Sequence, residues 1–425
     1  MLQLPFIRNE KERVLAGLKK RNWSAEQLGL IDEVLRLDGM RRSLQTDMDK
    51  SLAEQNKLSA EIGGLFKQGK KEEAEGLRAQ VASLKAGSAD QKVAHDEVLS
   101  AIQDLLYQIP NIPHDSVPAG RTAEDNEVYQ AWNAPLPELP DSALPHWELA
   151  SKYQIFDLEL GVKLTGSGFP VFRGKGARLE RALISFFLDE ATAAGYEEIL
   201  PPLMVNEDTA RATGQLPDKE AQMYYVERDN LYLIPTAEVP VTNLYRDVIL
   251  DAAELPVKLT GYTPCFRREA GSYGADVRGL NRVHQFDKVE IVQLTHPAKS
   301  YDALQDMLKH VAGLLEKLEL PYRILRLCGG DMGFTSALTF DFEVYSAAQK
   351  RWLEVSSVSN FETYQSNRLK LRFREGKDIQ LAHTLNGSAL ALARIVAAIL
   401  ENNQTPDGIV IPRALQPYTR FDVIK

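Results

Sequence analysis

The chain contains only two cysteines among 425 residues, Cys265 and Cys328, so a disulfide framework is excluded and a reducing compartment is expected. Long hydrophobic runs are also lacking, because the apolar stretch 389–400 contains Arg394 and is too short to span a bilayer. The first residues, MLQLPFIRNEKER, have no apolar signal-peptide core. We therefore expect a cytoplasmic protein that does not associate with membranes.

Two common motifs for metals and nucleotides are absent as well. No Cys-x-x-Cys pair occurs and the seven histidines lack metal-ligand spacing, which argues against a zinc site. No G-x-x-x-x-G-K-[ST] occurs, so any nucleotide must be held by something other than a P-loop. The net charge of −9 argues against nonspecific coating of nucleic acid, although a local basic patch can still bind a folded RNA.

What the N-terminal quarter does contain is a heptad pattern. Apolar residues recur at alternating four- and three-residue steps over 30–65 and again over 74–105, on either side of a break at 69–71. This pattern predicts an antiparallel helical hairpin, and about forty residues per helix at a rise of ~1.5 Å give an arm of roughly 60 Å. Pro110 and Pro113 follow it, so we expect an N-terminal domain over 1–110 and a second domain over 111–425.

The periodicity predicts the shape of this arm but not its role. A dimerisation coiled coil is one possibility. Residues 28–107 hold 11 Lys and Arg against 14 Asp and Glu, so net charge does not mark the arm as an RNA binder.

The segment 266–290, FRREAGSYGADVRGLNRVHQFDKVE, reads as two strands joined by a glycine-rich loop. Because side chains alternate across a strand, Arg267 and Glu269 should share one face, as should Phe286 and Glu290. An arginine suits a phosphate, a carboxylate suits an amine, and an aromatic ring suits a flat base. The segment therefore predicts a site for a nucleotide and an ammonium-bearing partner, unless its charges form only a solvated ion pair and Phe286 belongs to the core.

From about residue 151, helical and strand-like segments mix without a repeating βαβ rhythm, which favours an α+β fold around an antiparallel sheet. A helix is expected over 176–195, followed by a strand that reaches 204. Another strand over 231–235 leads into the turn Thr236-Ala237-Glu238.

Two further segments carry polar groups. Glu354-Val355-Ser356-Ser357 follows a predicted strand containing Trp352; positions 354 and 357 have opposite parity, so both can face one ligand only if the strand bulges or ends there. Asn386-Gly387-Ser388 is predicted to open an apolar helix over 389–400, which would bury Arg394. A buried arginine needs an anion, either a structural carboxylate or a phosphate.

Several of these segments together resemble one family. The segment 266–290 resembles motif 2 of class II aminoacyl-tRNA synthetases, specifically of seryl-tRNA synthetases. HTLNGSALALARIVAAILEN resembles motif 3, with Ala393 where members often have Gly or Pro, and the helix and strand over 176–204 resemble motif 1, which forms the dimer interface in this class. The resemblance covers nearly the whole chain, arm included.

The resemblance implies a class II antiparallel sheet with flanking helices, preceded by a coiled-coil arm. It implies a homodimer that activates L-serine with ATP and transfers it to tRNA(Ser), and to tRNA(Sec) where a cell has one. The arm would contact the long variable arm of the tRNA, with Lys67, Lys70, Lys71, Arg41 and Arg42 as candidate phosphate contacts.

The resemblance also implies roles for individual residues. The catalytic pair would be Arg267 and Arg394, and Mg²⁺, entering with ATP, would bind Glu354 and Ser357. The serine pocket would comprise Thr236, Ala237, Glu238, Arg267, Glu290, Asn386 and Ser388. The ATP site would comprise Arg267, Arg268, Glu269, Val283, Phe286, Glu354, Val355, Ser356, Ser357 and Arg394.

Two rival functions remain open from the sequence. A ligase that charges a carrier protein would lack the long arm, which this chain has. A non-catalytic RNA-binding scaffold would have no need of an intact set of Arg267, Glu269, Glu354, Ser388 and Arg394.

Overall fold

A computed structural model describes residues 1–218, 221–269 and 278–425. The chain forms two compact units, one comprising residues 2–19 and 23–110 and the other comprising Met1, 20–22 and 111–425. Among the described residues, no helix combines the length and apolar character needed to cross a bilayer.

The smaller unit is helical. Its elements are α1 (Leu4–Asn9), α2 (Lys11–Lys20), α3 (Ala25–Lys67) and α4 (Lys71–Leu106). Ser24 caps α3 in a reciprocal arrangement, because its hydroxyl accepts from the Gln27 N–H at 3.2 Å and the Gln27 side chain accepts from the Ser24 N–H at 2.8 Å. The two long helices pack along each other and the break falls between them, so the predicted hairpin is confirmed.

The seam of this hairpin buries apolar residues towards its base and again at Leu58 and Ala74 near its tip, with a polar pair between them. Ile31, Val34 and Ile102 are buried, whereas Gln55 on α3 donates to the Ser88 hydroxyl on α4 at 2.9 Å. One pair of polar seam residues thus forms a hydrogen bond across the two helices.

The larger unit is built around an eight-stranded sheet, counted among the described residues, with strand order β1-β11-β12-β13-β16-β10-β9-β4. Its neighbours pair antiparallel except for β4 and β9. The predicted α+β class with an antiparallel sheet is therefore confirmed. The described strands are β1 (Glu127–Gln130), β2 (Phe156–Asp157), β3 (Val171–Phe172), β4 (Glu197–Glu198), β5 (Met204–Val205), β6 (Tyr225–Val226), β7 (Leu231–Leu233), β8 (Ile249–Asp251), β9 (Val257–Phe266), β10 (Gln285–Thr295), β11 (Tyr322–Arg326), β12 (Leu338–Ser346), β13 (Arg351–Glu362), β14 (Arg372–Glu375), β15 (Asp378–Leu381), β16 (His383–Ala391), β17 (Gln404–Thr405), β18 (Gly408–Val410) and β19 (Val423–Ile424).

Long helices pack on one face of the sheet, and the opposite face of its central strands is only partly covered, by a short helix over 238–243, which leaves room for a site. The core lies where α7, α10 and α12 pack on the strands, and it includes Leu183, Phe187, Met307, Val311 and Ile395. The described helices of this unit are α5 (His146–Tyr153), α6 (Leu158–Leu164), α7 (Gly174–Ala193), α8 (Glu207–Thr213), α9 (Glu238–Asn243), α10 (Ser300–Lys317), α11 (Thr363–Leu369), α12 (Leu392–Asn402) and α13 (Gln416–Thr419).

Three predicted boundaries were wrong. The expected strand over 196–204 is reduced to β4 and the start of β5, because Pro201 and Pro202 cannot donate to a ladder between them. The polar run 354–357 lies inside β13 rather than after it. The helix expected from 389 begins at Leu392, and residues 386–391 continue β16 instead, because a short apolar run fits a buried strand as well as a helix.

Candidate functional site

A cavity of about 510 Å³ lies over the central strands of the sheet. It brings together fourteen of the sixteen residues predicted to form the site: Thr236, Glu238, Arg267, Glu269, Val283, Phe286, Glu290, Glu354, Val355, Ser356, Ser357, Asn386, Ser388 and Arg394. The other two do not line it. Ala237 is buried in an apolar cluster, and Arg268 is exposed, with its main-chain N–H donating to the Gln222 carbonyl at 2.9 Å.

At one end of the cavity, Arg267 and Phe286 are neighbours. The guanidinium carbon lies 5.2 Å from the ring centroid, and Arg267 Nε donates to the Pro235 carbonyl at 3.3 Å. Arg267 directly follows the last residue of β9, whose partner strand begins at Gln285. A cation and an aromatic ring therefore stand side by side where the two strands open into their connection.

Glu269 reaches the cavity by a route that strand parity did not predict. The strand ends at Phe266, and Glu269 has a φ of +48°, so the expectation that Arg267 and Glu269 share a strand face was wrong. Its carboxylate accepts from Arg282 on the returning chain. The centre of the predicted glycine-rich loop, 270–277, lies outside the described residues.

The alternation along β10 does place Phe286 and Glu290 on the cavity side, and Lys288 lies between them. The Lys288 Nζ lies 2.5 Å from Glu290 Oε2, and both side chains are buried. Thr236 also donates its hydroxyl to Glu290, at 3.2 Å. Sequence reasoning missed Lys288, although the parity that grouped Phe286 with Glu290 would have included it.

A second carboxyl, Glu238 at the start of α9, completes this polar end. Gln365 donates to it at 2.6 Å, and its own N–H donates to the Thr236 hydroxyl at 3.2 Å. Burial, and then the negative charge of Glu290, raise the pKa of Glu238 to about 7. Glu290 pairs directly with Ser388 across β10 and β16. The hydroxyls of Ser388 and Thr236 and the carboxyl groups of Glu238 and Glu290 therefore surround a small polar pocket.

On the next wall, strand β13 carries the bulge that the opposite parity of positions 354 and 357 required. Ser356 pairs with Phe342 and Glu354 with Glu343, so Val355 is the extra residue. The bulge brings both Glu354 and Ser357 to the cavity. Behind them the Ser357 hydroxyl donates to Asp341 at 2.5 Å, and burial, followed by the charge of Glu354, raises the pKa of Asp341 well above its usual range.

Arg394, in the first turn of α12, is not buried as expected; 29% of its side chain is exposed. Its Nε donates to the Asn281 carbonyl at 2.9 Å and its Nη1 to the Glu354 carbonyl at 2.6 Å, while the Glu354 carboxylate lies 3.8 Å away. Main-chain carbonyls, rather than a structural carboxylate alone, hold the guanidinium at the edge of the cavity. The sequence carries no signal for such contacts.

Comparisons with known proteins cover both units. The family model described as "Seryl-tRNA synthetase N-terminal domain" matches residues 1–113, and the one described as "tRNA synthetase class II core domain (G, H, P, S and T)" matches 224–403. The serine–tRNA ligase of Salinibacter ruber is 51% identical over 99% of this chain and 98% of its own length, and that of Thermotoga neapolitana is 43% identical over all of both.

Solved structures give the same result. The seryl-tRNA synthetase of Pyrococcus horikoshii complexed with ATP superposes with a TM-score of 0.93 at 33% identity, over 100% of this chain and 99% of that one. The cytoplasmic serine–tRNA ligase of Naegleria fowleri in complex with AMP gives a TM-score of 0.86 at 25% identity, over 97% and 96% of the two chains.

Proposed function

The chain belongs to the seryl-tRNA synthetases, and we propose that its cavity binds ATP and L-serine next to each other along strand β10. The enzyme is an ATP-dependent serine–tRNA ligase. The observation that carries the proposal for the site is the row Phe286, Lys288 and Glu290, which runs from an aromatic ring to a buried carboxylate on one face of one strand. Alternate residues on a strand lie about 6.6 Å apart, so the row is long enough to contact a base at one end and an amino acid at the other.

At the nucleotide end, Phe286 stacks on the adenine, Glu269 reads its amino group and Val283 lines the ring. Arg267 contacts the α-phosphate and Arg394 the outer phosphates. Main-chain carbonyls orient both guanidinium groups, and the Glu354 carboxylate lies 3.8 Å from Arg394. The Pyrococcus horikoshii relative was solved in complex with ATP, which supports ATP as the nucleotide.

At the other end, Glu238 and Glu290 hold the serine ammonium and hydroxyl, with Thr236, Asn386 and Ser388 around them. A pocket that hydrogen-bonds a hydroxyl rejects alanine strongly, since its polar groups would be left unpaired, whereas threonine is excluded only by size. Glu238 binds an ammonium best as a carboxylate, and its raised pKa therefore makes serine binding sensitive to pH near 7.

The reaction needs little acid–base chemistry from these residues. A serine carboxylate oxygen attacks the α-phosphorus, the bond to the bridging oxygen of the β-phosphate breaks, and pyrophosphate leaves with the electron pair. A hydroxyl of the terminal tRNA ribose then attacks the carbonyl carbon and releases AMP. Positioning and charge stabilisation by Arg267 and Arg394 are the main contributions of the chain.

Glu354 and Ser357 fit a Mg²⁺ ion that enters with ATP. Both reach the cavity because of the bulge, and a carboxylate and a hydroxyl are hard oxygen donors. The Ser357 proton points towards Asp341, which leaves oxygen lone pairs available for a ligand. When bound, the ion would neutralise phosphate charge.

The hairpin of α3 and α4 is proposed to contact the variable arm of tRNA(Ser), and of tRNA(Sec) where it occurs. Of the five cations named for this role, Arg41 and Arg42 lie beside the buried Asp38, at 2.9 and 3.4 Å. Lys70 lies 3.3 Å from Glu73. Lys67 and Lys71 are exposed near the tip and form no ion pair within the described part of the chain, so they are the better phosphate contacts.

We also propose a homodimer in the cytoplasm. The stretch after α7 exposes large apolar side chains, with Leu200 86% exposed and Leu203 and Met204 beside it. Exposed apolar surface of this kind marks an interaction site, and the stretch includes the motif 1 prolines. Both cysteines are unpaired and buried, which fits a reducing compartment.

The test of the proposed site is serine-dependent ATP–pyrophosphate exchange, followed by charging of tRNA(Ser). Alanine and threonine replace serine in parallel reactions. Exchange that depends on serine and is lost on changing Arg267 or Glu290 would support the site. Exchange that survives both changes in folded protein would contradict it.

A further inference from the structure

A buried cluster of polar side chains, outside the predicted site, joins α5 to α12 beneath the cavity. Its members are His146, the first residue of α5, Glu401 in the last turn of α12, and Ser346 and Gln349 from the end of β12 and the turn after it. His146 and Glu401 are fully buried. Burying such groups costs stability unless they are fully hydrogen-bonded, so each of their polar atoms is expected to have a partner.

The position of the imidazole hydrogen follows from its partners. The Leu280 main-chain N–H can only donate, and it lies 2.8 Å from His146 Nε2, so Nε2 must be the acceptor. The ring hydrogen is therefore on Nδ1, which donates to Glu401 Oε1 at 2.6 Å. The imidazole thus bridges a carboxylate on α12 and the main chain at Leu280.

Glu401 fixes the other side of this bridge. Its Oε1 also accepts from the His146 main-chain N–H and from Gln349 Nε2, each at 2.9 Å, and its Oε2 accepts from the Ser346 hydroxyl. Burial alone would raise the pKa of Glu401, but the hydrogen bonds from His146 and Ser346 outweigh it and hold the pKa below its usual range. Its two oxygens together accept four hydrogen bonds.

The cluster extends into the cavity wall through the segment 278–283. Asn281 Nδ2 donates to Gln349 Oε1 at 3.0 Å, and the Asn281 carbonyl accepts from Arg394 Nε at 2.9 Å. Leu280, Asn281, Arg282 and Val283 all line the cavity. The same segment therefore contacts His146 on its buried side and Arg394 on its cavity side.

Gly279 shows how closely this segment approaches the imidazole. It has a φ of +68°, and a Cβ at this position would lie 2.2 Å from His146 Nε2. Only a glycine allows the main chain to adopt this conformation and bring the Leu280 N–H to the ring. One residue earlier, the Arg278 guanidinium lies 4.7 Å from the Trp147 ring centroid, which also ties the segment to α5.

We infer that His146 is a positioning residue for the ATP end of the cavity: its bond to Leu280 holds the segment 278–283 so that the Asn281 carbonyl orients the Arg394 guanidinium. This inference rests on the proposed role of Arg394 towards ATP. No atom of His146 lines the cavity, so it acts on the nucleotide only through the segment.

Two substitutions separate the two bonds of the imidazole. In His146→Asn the side-chain amide takes the place of Nδ1 and can still donate to Glu401, but Leu280 loses its acceptor. In His146→Gln the amide oxygen takes the place of Nε2 and can accept from Leu280, while the bond to Glu401 is lost. Both variants leave a similar small void.

ATP–pyrophosphate exchange with purified full-length protein measures the effect, together with melting temperature. We expect His146→Asn to raise the ATP KM several-fold, up to about tenfold for one lost hydrogen bond, with the serine KM little changed. His146→Gln should keep the ATP KM within about twofold of the wild type even if it melts at a lower temperature. Tyr196→Phe is the matched control, because it removes a buried bond of 2.7 Å to Gln293 away from the cavity and should leave both KM values unchanged.

Similar melting temperatures below the wild type in both His146 variants, with a wild-type ATP KM in both, would show that His146 only stabilises the fold. Equal rises in the ATP KM in both would also overturn the inference, since the Leu280 bond would then not matter. Arg394→Ala is run alongside: wild-type exchange in that variant would contradict the proposed role of Arg394 itself, whatever the His146 variants show.

Discussion

Replacing Glu290 by glutamine tests most directly which substrate lies at the buried end of strand β10. The wild-type carboxylate accepts from Lys288 at 2.5 Å and from Thr236 at 3.2 Å, and it lies opposite Ser388 in the sheet. The amide keeps the shape and can still accept hydrogen bonds through its oxygen. What it loses is the negative charge that we propose binds the serine hydroxyl or ammonium.

The expected magnitude follows from that single loss. A hydrogen bond to a charged group contributes about 1.5–3 kcal/mol, so the serine KM should rise roughly 10- to 150-fold, with a smaller change for ATP. Removing one partner of a buried ion pair costs about 3–5 kcal/mol of stability when nothing replaces it. Because the amide oxygen can still accept from Lys288, we expect the free energy of unfolding to fall by about 3 kcal/mol or less.

The same substitution should shift the pH dependence of serine activation. Glu238 has a pKa of about 7 because of burial and then the charge of Glu290, so in the wild type the serine kcat/KM should fall as the pH drops below about 7 and Glu238 becomes protonated. Without the charge at position 290, the pKa of Glu238 moves down towards its ordinary value. The fall in kcat/KM of the variant should therefore begin at a lower pH.

The assay is pyrophosphate exchange over a pH series, with Asp287→Asn as the matched control. Asp287 is the carboxylate that precedes Glu290 on the same strand; it lies outside the cavity and accepts from the Tyr262 hydroxyl at 2.9 Å. The same carboxylate-to-amide change should there leave both KM values unaltered. An unchanged serine KM with a raised ATP KM in Glu290→Gln would show that Glu290 belongs to the nucleotide pocket and would refute the reasoning.

Three other outcomes are expected. Arg394→Ala should slow pyrophosphate exchange roughly 10²-fold or more, which is the usual effect of removing one donor that stabilises developing charge. The melting temperature should fall only slightly, because the carbonyls that Arg394 contacts lie at the edge of the cavity, where water can replace it. A large fall in melting temperature with unchanged exchange would favour a structural role. Deleting residues 30–105 with a short linker should leave exchange largely intact and abolish tRNA charging, since every residue assigned to ATP and serine lies after position 230; equal loss of both activities in a folded variant would contradict this division. Leu200→Asp should convert the proposed homodimer to monomers in sedimentation equilibrium, because it places a charge on an 86% exposed apolar residue; a variant that keeps the mass of a wild-type dimer would exclude this stretch from the interface.

Local periodicity was sufficient to predict much of this architecture. The heptad steps located both long helices and the break between them, since each helix buries a stripe with a period close to 3.5 residues. The period of two along β10 placed Phe286 and Glu290 on one face, and the opposite parity of Glu354 and Ser357 required the bulge that β13 has. Each of these features is determined by residues only a few positions apart, so it can be predicted from the sequence alone.

Where prediction failed, the deciding contact was distant in sequence or involved only the main chain. Arg394 is held by the carbonyls of Asn281 and Glu354, which no side-chain pattern indicates. Glu269 reaches the cavity through a positive φ after the strand has ended, so parity no longer applied. His146 meets its partner Glu401 across 255 residues, and neither stands in a motif that would mark it.

The sheet register explains why residues far apart in the chain can form one site. On the cavity face, β16 places Ser388 opposite Glu290, while β13 brings Glu354 and Ser357 to the same side. A slip of one residue between β16 and its neighbours would turn Asn386 and Ser388 away from the cavity.

On the opposite face of the sheet, which packs on α10, Gly387 helps to maintain this register. It pairs with Ile291 on one side and Val358 on the other, and a Cβ there would lie 3.0 Å from a Val358 methyl and 3.4 Å from Met307 on α10. The contact with Val358 is tighter than a Cβ normally makes, so that side chain would have to move by a few tenths of an ångström, whereas the distance to Met307 is an ordinary van der Waals contact. Close packing between β16 and β13 at Gly387 therefore helps to fix the position of β16, and with it Asn386 and Ser388, the two polar side chains that we assign to serine. The polar pocket on one face of β16 thus depends on Gly387, which lies on the opposite, core-facing side of that strand.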